Sequence, residues 1–332
     1  MAGREIIDMP RVVTAVAAAL IALAGSTAAF AQSYPQRPVK FLLPFGPGSG
    51  ADITMRLVGD KLSARWGKPV VIENKPGGDG LVSINTFLSS NDDHVLLYFP
   101  VGTFATHPYT HEKLTYDSER DLIPIAGVTS TILAAGTPSS MKATTLRALI
   151  DQFRAEPNQH NAAAANGNAD FLLSGLLKTE NLEVAKVPYR DIMQAPNDVA
   201  EGRIQLLMSS LASMLPLAQA GKIRVLAVTS RKRLSTMADV PTVAEAGFPG
   251  LTMESLQGMF GPRGMPLAVR EQIATDVRSV VEADPTIAQR LAVTGQAVDL
   301  RTQQEFAAGI KELQDQLASI AKVVGIKAAT SN

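Results

Sequence analysis

Two glycine-bearing loops and one pair of histidines are the places where this chain of 332 residues could do chemistry. The first loop, Gly46-Pro47-Gly48-Ser49-Gly50, stands between the apolar run Val39 to Phe45 and a helical pattern. Its backbone N–H groups would face whatever lies above a helix N-terminus, where the dipole favours an anion. The residues placed to touch such an anion are Phe45, Gly46, Pro47, Gly48, Ser49, Gly50, Ala51 and Asp52. A dinucleotide site is the enzymatic alternative, with Glu73 at the end of the next strand as its acidic residue. The spacing is G-x-G-x-G rather than G-x-G-x-x-G, and Pro47 removes a donor, so a small organic anion fits better. The second loop, Asn166-Gly167-Asn168-Ala169-Asp170, repeats the strand–glycine–helix order after Ala162 to Ala165. Two such helix ends on facing domains would grip the two ends of a small molecule. Asn168 or Asp170 could instead simply cap the helix, and the two roles are compatible.

His107 and His111 stand four apart, which on a helix would place them together as metal ligands. Pro108 lies between them in a polar stretch, so the expectation is solvated loop histidines and no metal. No G-x-S-x-G nucleophile elbow is present. With no cysteine there is no disulfide framework, iron–sulfur cluster or thiol nucleophile. Lys and Arg number 31, Asp and Glu 31, without runs of like charge. Nucleic acid is therefore not an expected partner, because its binding needs clustered Lys and Arg. No cofactor is expected.

The elements that must position these loops are those of an α/β protein. Arg4 and Arg11, the 13 apolar residues Val12 to Ala24, and Ala29-Phe30-Ala31 together predict a secretory signal cleaved after Ala31. The run is too short for a membrane span of about 20 residues, so residues 32–332 are expected outside the cytoplasm, and the resemblance given below places them in the periplasm. Val39 to Phe45, Val70 to Glu73 and His94 to Phe99 read as strands of one doubly wound sheet. Between them Ile53, Leu57, Val58, Leu62 and Trp66 fall at helical spacing, with Gly67 as the stop, and Leu81 to Leu88 reads as a second helix. A second series follows Pro138: helices at Thr144 to Ala155, Asn168 to Thr179 and Ile192 to Glu201, strands at Ala162 to Ala165, Val184 to Val187, Ile204 to Met208 and Ile223 to Val228. Thr242 and Glu245 have capping-box spacing for a helix that Gly247 stops early. After Pro262 only helices are expected, with apolar stripes at Ile273, Val277, Val280 and Val281 and at Phe306, Ile310, Leu313, Leu317, Ile320 and Val324. They should pack back on the first sheet. The prediction is a discontinuous first domain, 32–128 and 251–332, and an inserted domain, 129–250.

Several quoted segments, read together, resemble one family. They are Tyr34-Pro35, Pro44 to Asp52, Val71-Ile72-Glu73-Asn74-Lys75-Pro76-Gly77-Gly78, Val187-Pro188-Tyr189-Arg190, Ala220 to Ser230, and above all Asp239 to Gly250. They look like the tripartite tricarboxylate transporter substrate-binding proteins, also called Bordetella uptake (Bug) receptors. The resemblance implies a type II periplasmic binding protein with two doubly wound α/β domains joined by a two-crossing hinge. It implies Venus-flytrap closure on a small carboxylate or amino acid, with delivery to membrane permease subunits or to a sensor kinase. An exported hydrolase is the enzymatic alternative, and a monomer is expected. In the family the loops at Phe45 to Asp52 and Asn166 to Asp170 bind ligand, with Thr103 and Ser209 lining the cleft. The chain departs from the family pattern at Asn168, Asp170, Gln205, Ser209 and Leu256-Gln257. If Asp170 faces the cleft, it would repel a second ligand carboxylate unless paired with an ammonium, which points to a ligand less anionic than citrate. If Asp170 caps the helix, it says nothing about the ligand.

Overall fold

The computed structural model describes residues 34–329 apart from 166, 190, 191 and 294. The leader at 1–31 with its cleavage point, Asn166 and Arg190 lie outside the described residues. Residues 34–36 belong to a separate unit, Met1–Gln36, in which the Tyr34–Pro35 bond is cis. The second unit is Arg37–Asn332.

Apolar runs without alternation become strands covered on both faces. In the first sheet β1 (Val39–Leu43) and β3 (Val95–Pro100) run parallel and almost wholly buried. β2 (Val70–Asn74) pairs with β1 at one edge. Helices α1 (Gly50–Trp66) and α2 (Leu81–Ser90) connect these strands, and α3 (Val101–Thr110) follows β3 directly. Gly67 ends α1 at a φ of 62°, its N–H bonding the Ser63 carbonyl. After the single turn α4 (Ser118–Asp121), β4 (Ile123–Thr131) enters the same sheet.

The chain then crosses at Ile132 into a second sheet. It holds β5 (Leu133–Pro138), β6 (Asn161–Ala164), β7 (Ala185–Lys186), β8 (Leu206–Ser210) and β9 (Ile223–Val228) in the order β7-β6-β8-β5-β9. Its helices are α5 (Leu146–Ala155), α6 (Asn168–Thr179), α7 (Ala195–Ala200) and α8 (Leu211–Gln219). Leu146, Leu149, Ile150 and Phe153 bury one face of α5, and the Thr145 hydroxyl caps its start by accepting the Ala148 N–H. The segment after β9 keeps the capping box without a helix. Thr242 N–H donates to the Glu245 carboxylate at 2.8 Å and Glu245 N–H to Thr242 Oγ1 at 3.2 Å, but Gly247 turns the chain at a φ of 91°.

The return crossing lies beside the outgoing one. Thr229 N–H bonds the Leu133 carbonyl and Met253 N–H the Thr229 carbonyl, both at 3.0 Å. β10 (Ser255–Gly261) then inserts antiparallel between β3 and β4. After α9 (Leu267–Glu282) and α10 (Pro285–Val293) comes a strand that the sequence reading missed. β11 (Gln296–Arg301) completes the first sheet, β11-β4-β10-β3-β1-β2. As a half-exposed edge strand with mixed residues, it carries neither a buried run nor clean alternation. Helix α11 (Gln303–Val324) starts in a complete capping box, Thr302 with Glu305. Its Phe306 covers the first sheet so closely that a Cβ on Gly258 would lie 2.3 Å from the ring. Truncating Phe306 to alanine would cost about 3–5 kcal/mol. About one turn before its end Ile320 packs on Gly175 of α6, so this helix touches both lobes, where packing on the first sheet alone was expected.

Candidate ligand-binding cleft

Parallel neighbours put their following helices at one sheet edge. β1 and β3 are parallel neighbours, so α1 and α3 begin at the same edge of the first sheet. β6 and β8 do the same for α6 and α8 in the second. The two edges meet. A Cβ on Gly102, in the first turn of α3, would lie 2.9 Å from Asn168 Cγ at the start of α6. A Cβ on Gly295 would lie 2.2 Å from the Cβ of Ala212 in the first turn of α8. A Cβ on Gly50, at the start of α1, would lie 2.1 Å from Gln296 Nε2. Four helix N-termini, two from each lobe, therefore converge.

The first four N–H groups of a helix have no intrahelical acceptor and must find one elsewhere. In α1, Ser49 Oγ accepts the Asp52 N–H at 3.3 Å. Pro100, Gly167 and Ser210, which precede α3, α6 and α8, supply no side-chain cap. Of the first residues of α8, Leu211 donates its N–H to the Ile132 carbonyl at 2.8 Å. Three buried side-chain atoms lack partners among the described residues; apart from Arg270 Nε on α9 they are Asn168 Nδ2 and Gln257 Oε1, in residues 7% and 5% exposed. Gln257 lies opposite Pro100, and its Nε2 donates to Thr131 Oγ1 at 2.5 Å. One orphaned donor and one orphaned acceptor beside uncapped helix starts suit a solute with an anionic oxygen and a hydrogen-bond donor.

The first loop is braced by Asp52, buried at 3% exposure. Its Oδ2 accepts the Gly48 N–H at 2.9 Å and Arg56 Nε at 3.0 Å. Its Oδ1 takes Asn74 Nδ2 at 3.0 Å and Arg56 Nη2 at 2.9 Å. Burial works to raise its pKa, but the Arg56, Gly48 and Asn74 hydrogen bonds together bring it below the ordinary 3.8. Asn74 also holds the Phe45 carbonyl at 2.9 Å, and Thr54 donates to Gln296 Oε1 at 2.7 Å. Gly46 accepts the Ser49 N–H at 3.3 Å, and Gly48 uses a φ of 82° that favours glycine. Pro47 is exposed and Ala51 buried. Asp52, expected to contact ligand, has its acceptor sites filled by the loop itself.

At the second loop the helix cap is Gly167, with no side-chain bond. The capping role weighed for Asn168 and Asp170 is thus overturned. Asp170 instead pairs with Lys186 Nζ at 2.7 Å, both side chains 39% exposed. Its charge is met by the chain's own ammonium. Ala169 is buried behind it. Thr103 stands in the first turn of α3. Ser209 is buried at the end of β8, its hydroxyl accepting from Ser213 at 3.3 Å. Gln205 lies at the opposite end of the sheet, where its Oε1 accepts the Asn161 N–H at 2.7 Å, so it cannot share a site with Ser209. Glu73 is held by Lys40 and Lys75, each at 2.7 Å. Concavities of about 440 and 560 Å3 lie elsewhere, along α6 and α11 and beside α9.

The histidine expectation also fails. Pro108 lies inside α3, so His107 is helical, and it is fully buried rather than solvated.

Against known proteins, the family profile described as "Tripartite tricarboxylate transporter family receptor" matches residues 54–326. The chain belongs to this family. Among its relatives, a Bordetella bronchiseptica UPF0065 protein is 27% identical over 301 residues, 90% of this chain and 89% of that protein. BugT of Bordetella pertussis is 26% identical over 318 residues, 94% and 97% of the two chains. A solved periplasmic transporter component is 27% identical with a TM-score of 0.75, covering 89% of this chain and 99% of its own. An R. palustris protein solved with adipate is 25% identical with a TM-score of 0.74 over the same shares. The architecture is that of periplasmic binding proteins, with two mixed α/β sheets. No helix among the described residues is long and apolar enough to cross a membrane. Gly295, Gln296, Gly102 and Asn74 were not foreseen beside these helix starts. Thr54 and Gln296 are 242 residues apart, and no local pattern joins them.

Proposed function

We propose that this receptor captures a small carboxylate between its lobes and delivers it to the membrane subunits of a tripartite transporter. The observation that carries the reading is the convergence of four helix N-termini, three of them uncapped, around the orphaned Asn168 Nδ2 and Gln257 Oε1. Anion binding there would rest on oriented N–H groups rather than on lysine or arginine. Because Asp170 is paired with Lys186, it argues neither for nor against a second ligand carboxylate. The adipate bound by the R. palustris relative makes short aliphatic carboxylates the first candidates. Ligand contacts come from Gly48 to Ala51, Val101 to Thr103, Gly167 to Ala169 and the Ser209 region. Residues 32–128 and 251–332 move against 129–250 about the paired crossings at Ile132 and Met253, and the closed form is the one the membrane partner reads. The chain reaches the periplasm by cleavage after Ala31 and acts without turnover.

Mass spectrometry of solute released from protein denatured as purified tests this reading. One equivalent of an unaltered small carboxylate is the expected result. A converted product, or protein that takes up no carboxylate from a thermal-shift panel including adipate, would sink it.

A further inference from the structure

Asp79, His107 and His111 come together although a strand and two helices separate them in sequence. A carboxylate oxygen of Asp79 and one ring nitrogen of each histidine lie within 4.8 Å of one another. His107 Nε2 and Asp79 Oδ2 are 3.7 Å apart. The two imidazoles stand at 64° with centroids 4.8 Å apart. Around a tetrahedral zinc with bonds of about 2.0–2.1 Å, ligand atoms sit roughly 3.3–3.5 Å from one another, so small side-chain rotations close the set.

The hydrogen bonds prepare the ligand atoms. Thr110 donates its hydroxyl proton to the Thr106 carbonyl at 3.2 Å, so its oxygen accepts from His111 Nδ1 at 2.9 Å. His111 therefore keeps a lone pair on Nε2, the form in which histidine binds metals. His107 is fully buried. Its Nε2–H donates to the Asp79 carbonyl at 3.0 Å and its Nδ1 accepts from the Tyr116 hydroxyl at 2.7 Å. A cation at Nε2 requires that proton to move to Nδ1. The ring stays neutral, Tyr116 turns from donor to acceptor, and an oxygen behind the ligating histidine is the usual support of a metal site.

We infer that Asp79, His107 and His111 form a site for a borderline divalent transition metal such as zinc. Two imidazoles and one carboxylate suit that class better than calcium or magnesium. The cation would fasten the turn at Gly78–Gly80 to α3, the helix whose first turn stands in the cleft. The other such group, Asp92, Asp93 and His94, has its Asp92 carboxylate engaged by Arg37 at 2.6 and 2.9 Å.

The probe is Zn(II) alone, followed by calorimetry on protein carrying no histidine tag, with Co(II) for its ligand-field spectrum. One equivalent should bind, and His111→Ala and Asp79→Asn should each weaken it about tenfold or more and abolish the tetrahedral Co(II) bands. Both positions are partly exposed and asparagine tolerates a φ of 53°, so both variants should melt like the wild type without metal. Absence of binding, affinity within about twofold of wild type in both variants, or loss only in His94→Asn would each overturn the site.

Discussion

At Gly46 to Asp52 side chains hold the backbone in place. Asp52 alone accepts from Gly48, Arg56 and Asn74, and Asn74 reaches on to Phe45. At Gly167 to Asp170 no side chain caps the helix, Asn168 Nδ2 has no partner among the described residues, and the nearest neighbour across the cleft is Gly102 of the other lobe. One helix start is closed by the chain's own side chains, and the other keeps a buried donor open. Under the function proposed above, the ligand would complete the second.

Asp52→Ala should have the largest effect. It strands Arg56 and the Gly48 N–H, and should lower stability by about 1–3 kcal/mol in a denaturant melt. Carboxylate affinity should fall about tenfold or more by calorimetry, as the loop loses its shape. Asn168→Ala should part the two properties. Affinity should drop about tenfold while stability stays within roughly 0.5 kcal/mol, because the amide lost had no partner to leave behind. Equal stability losses in the two variants would erase the contrast.

Acid titration sharpens it further. The Asp52 pKa is depressed in the folded protein, so its contribution is present above 3.8 and is lost as pH falls through the lower folded value. His107 is also depressed, and its contribution is present above 6.5 and lost as pH falls through its folded value. Melting temperature should therefore decline in two stages on acidification. His107→Gln should flatten the first, and Asp52→Asn should lessen the second, which Asp92, held at about 2 chiefly by Arg37, shares. A single stage unaffected by either variant would contradict these assignments. The smallest effect belongs to Asp170→Asn, which breaks only a half-exposed ion pair with Lys186. It should change stability by no more than about 1 kcal/mol and affinity by less than about twofold.

Much of this was legible in the residues. Glycines between buried runs and helical stripes marked both loops, and Asn168–Thr179 formed the helix its spacing predicted. What escaped was long-range, sat at an edge or, like the buried β10, fell where only a crossing was expected. β11 is a mixed, half-exposed strand, and Gln296 reaches α1 only through the sheet it completes. Pro108 argued against a helix at His107, but α3 continues through it, because packing overrides a local breaker. Asp170 looked like a cap or a ligand contact because its partner Lys186 lies 16 residues on, in β7.

Calorimetry of adipate and shorter carboxylates with ligand-stripped protein, wild type beside Gly102→Val, tests the central claim most directly. The added side chain meets Asn168 between the facing starts of α3 and α6. The account predicts one carboxylate per wild-type chain and no measurable binding to the folded variant. Equal affinity in the two proteins would place the ligand elsewhere and contradict it.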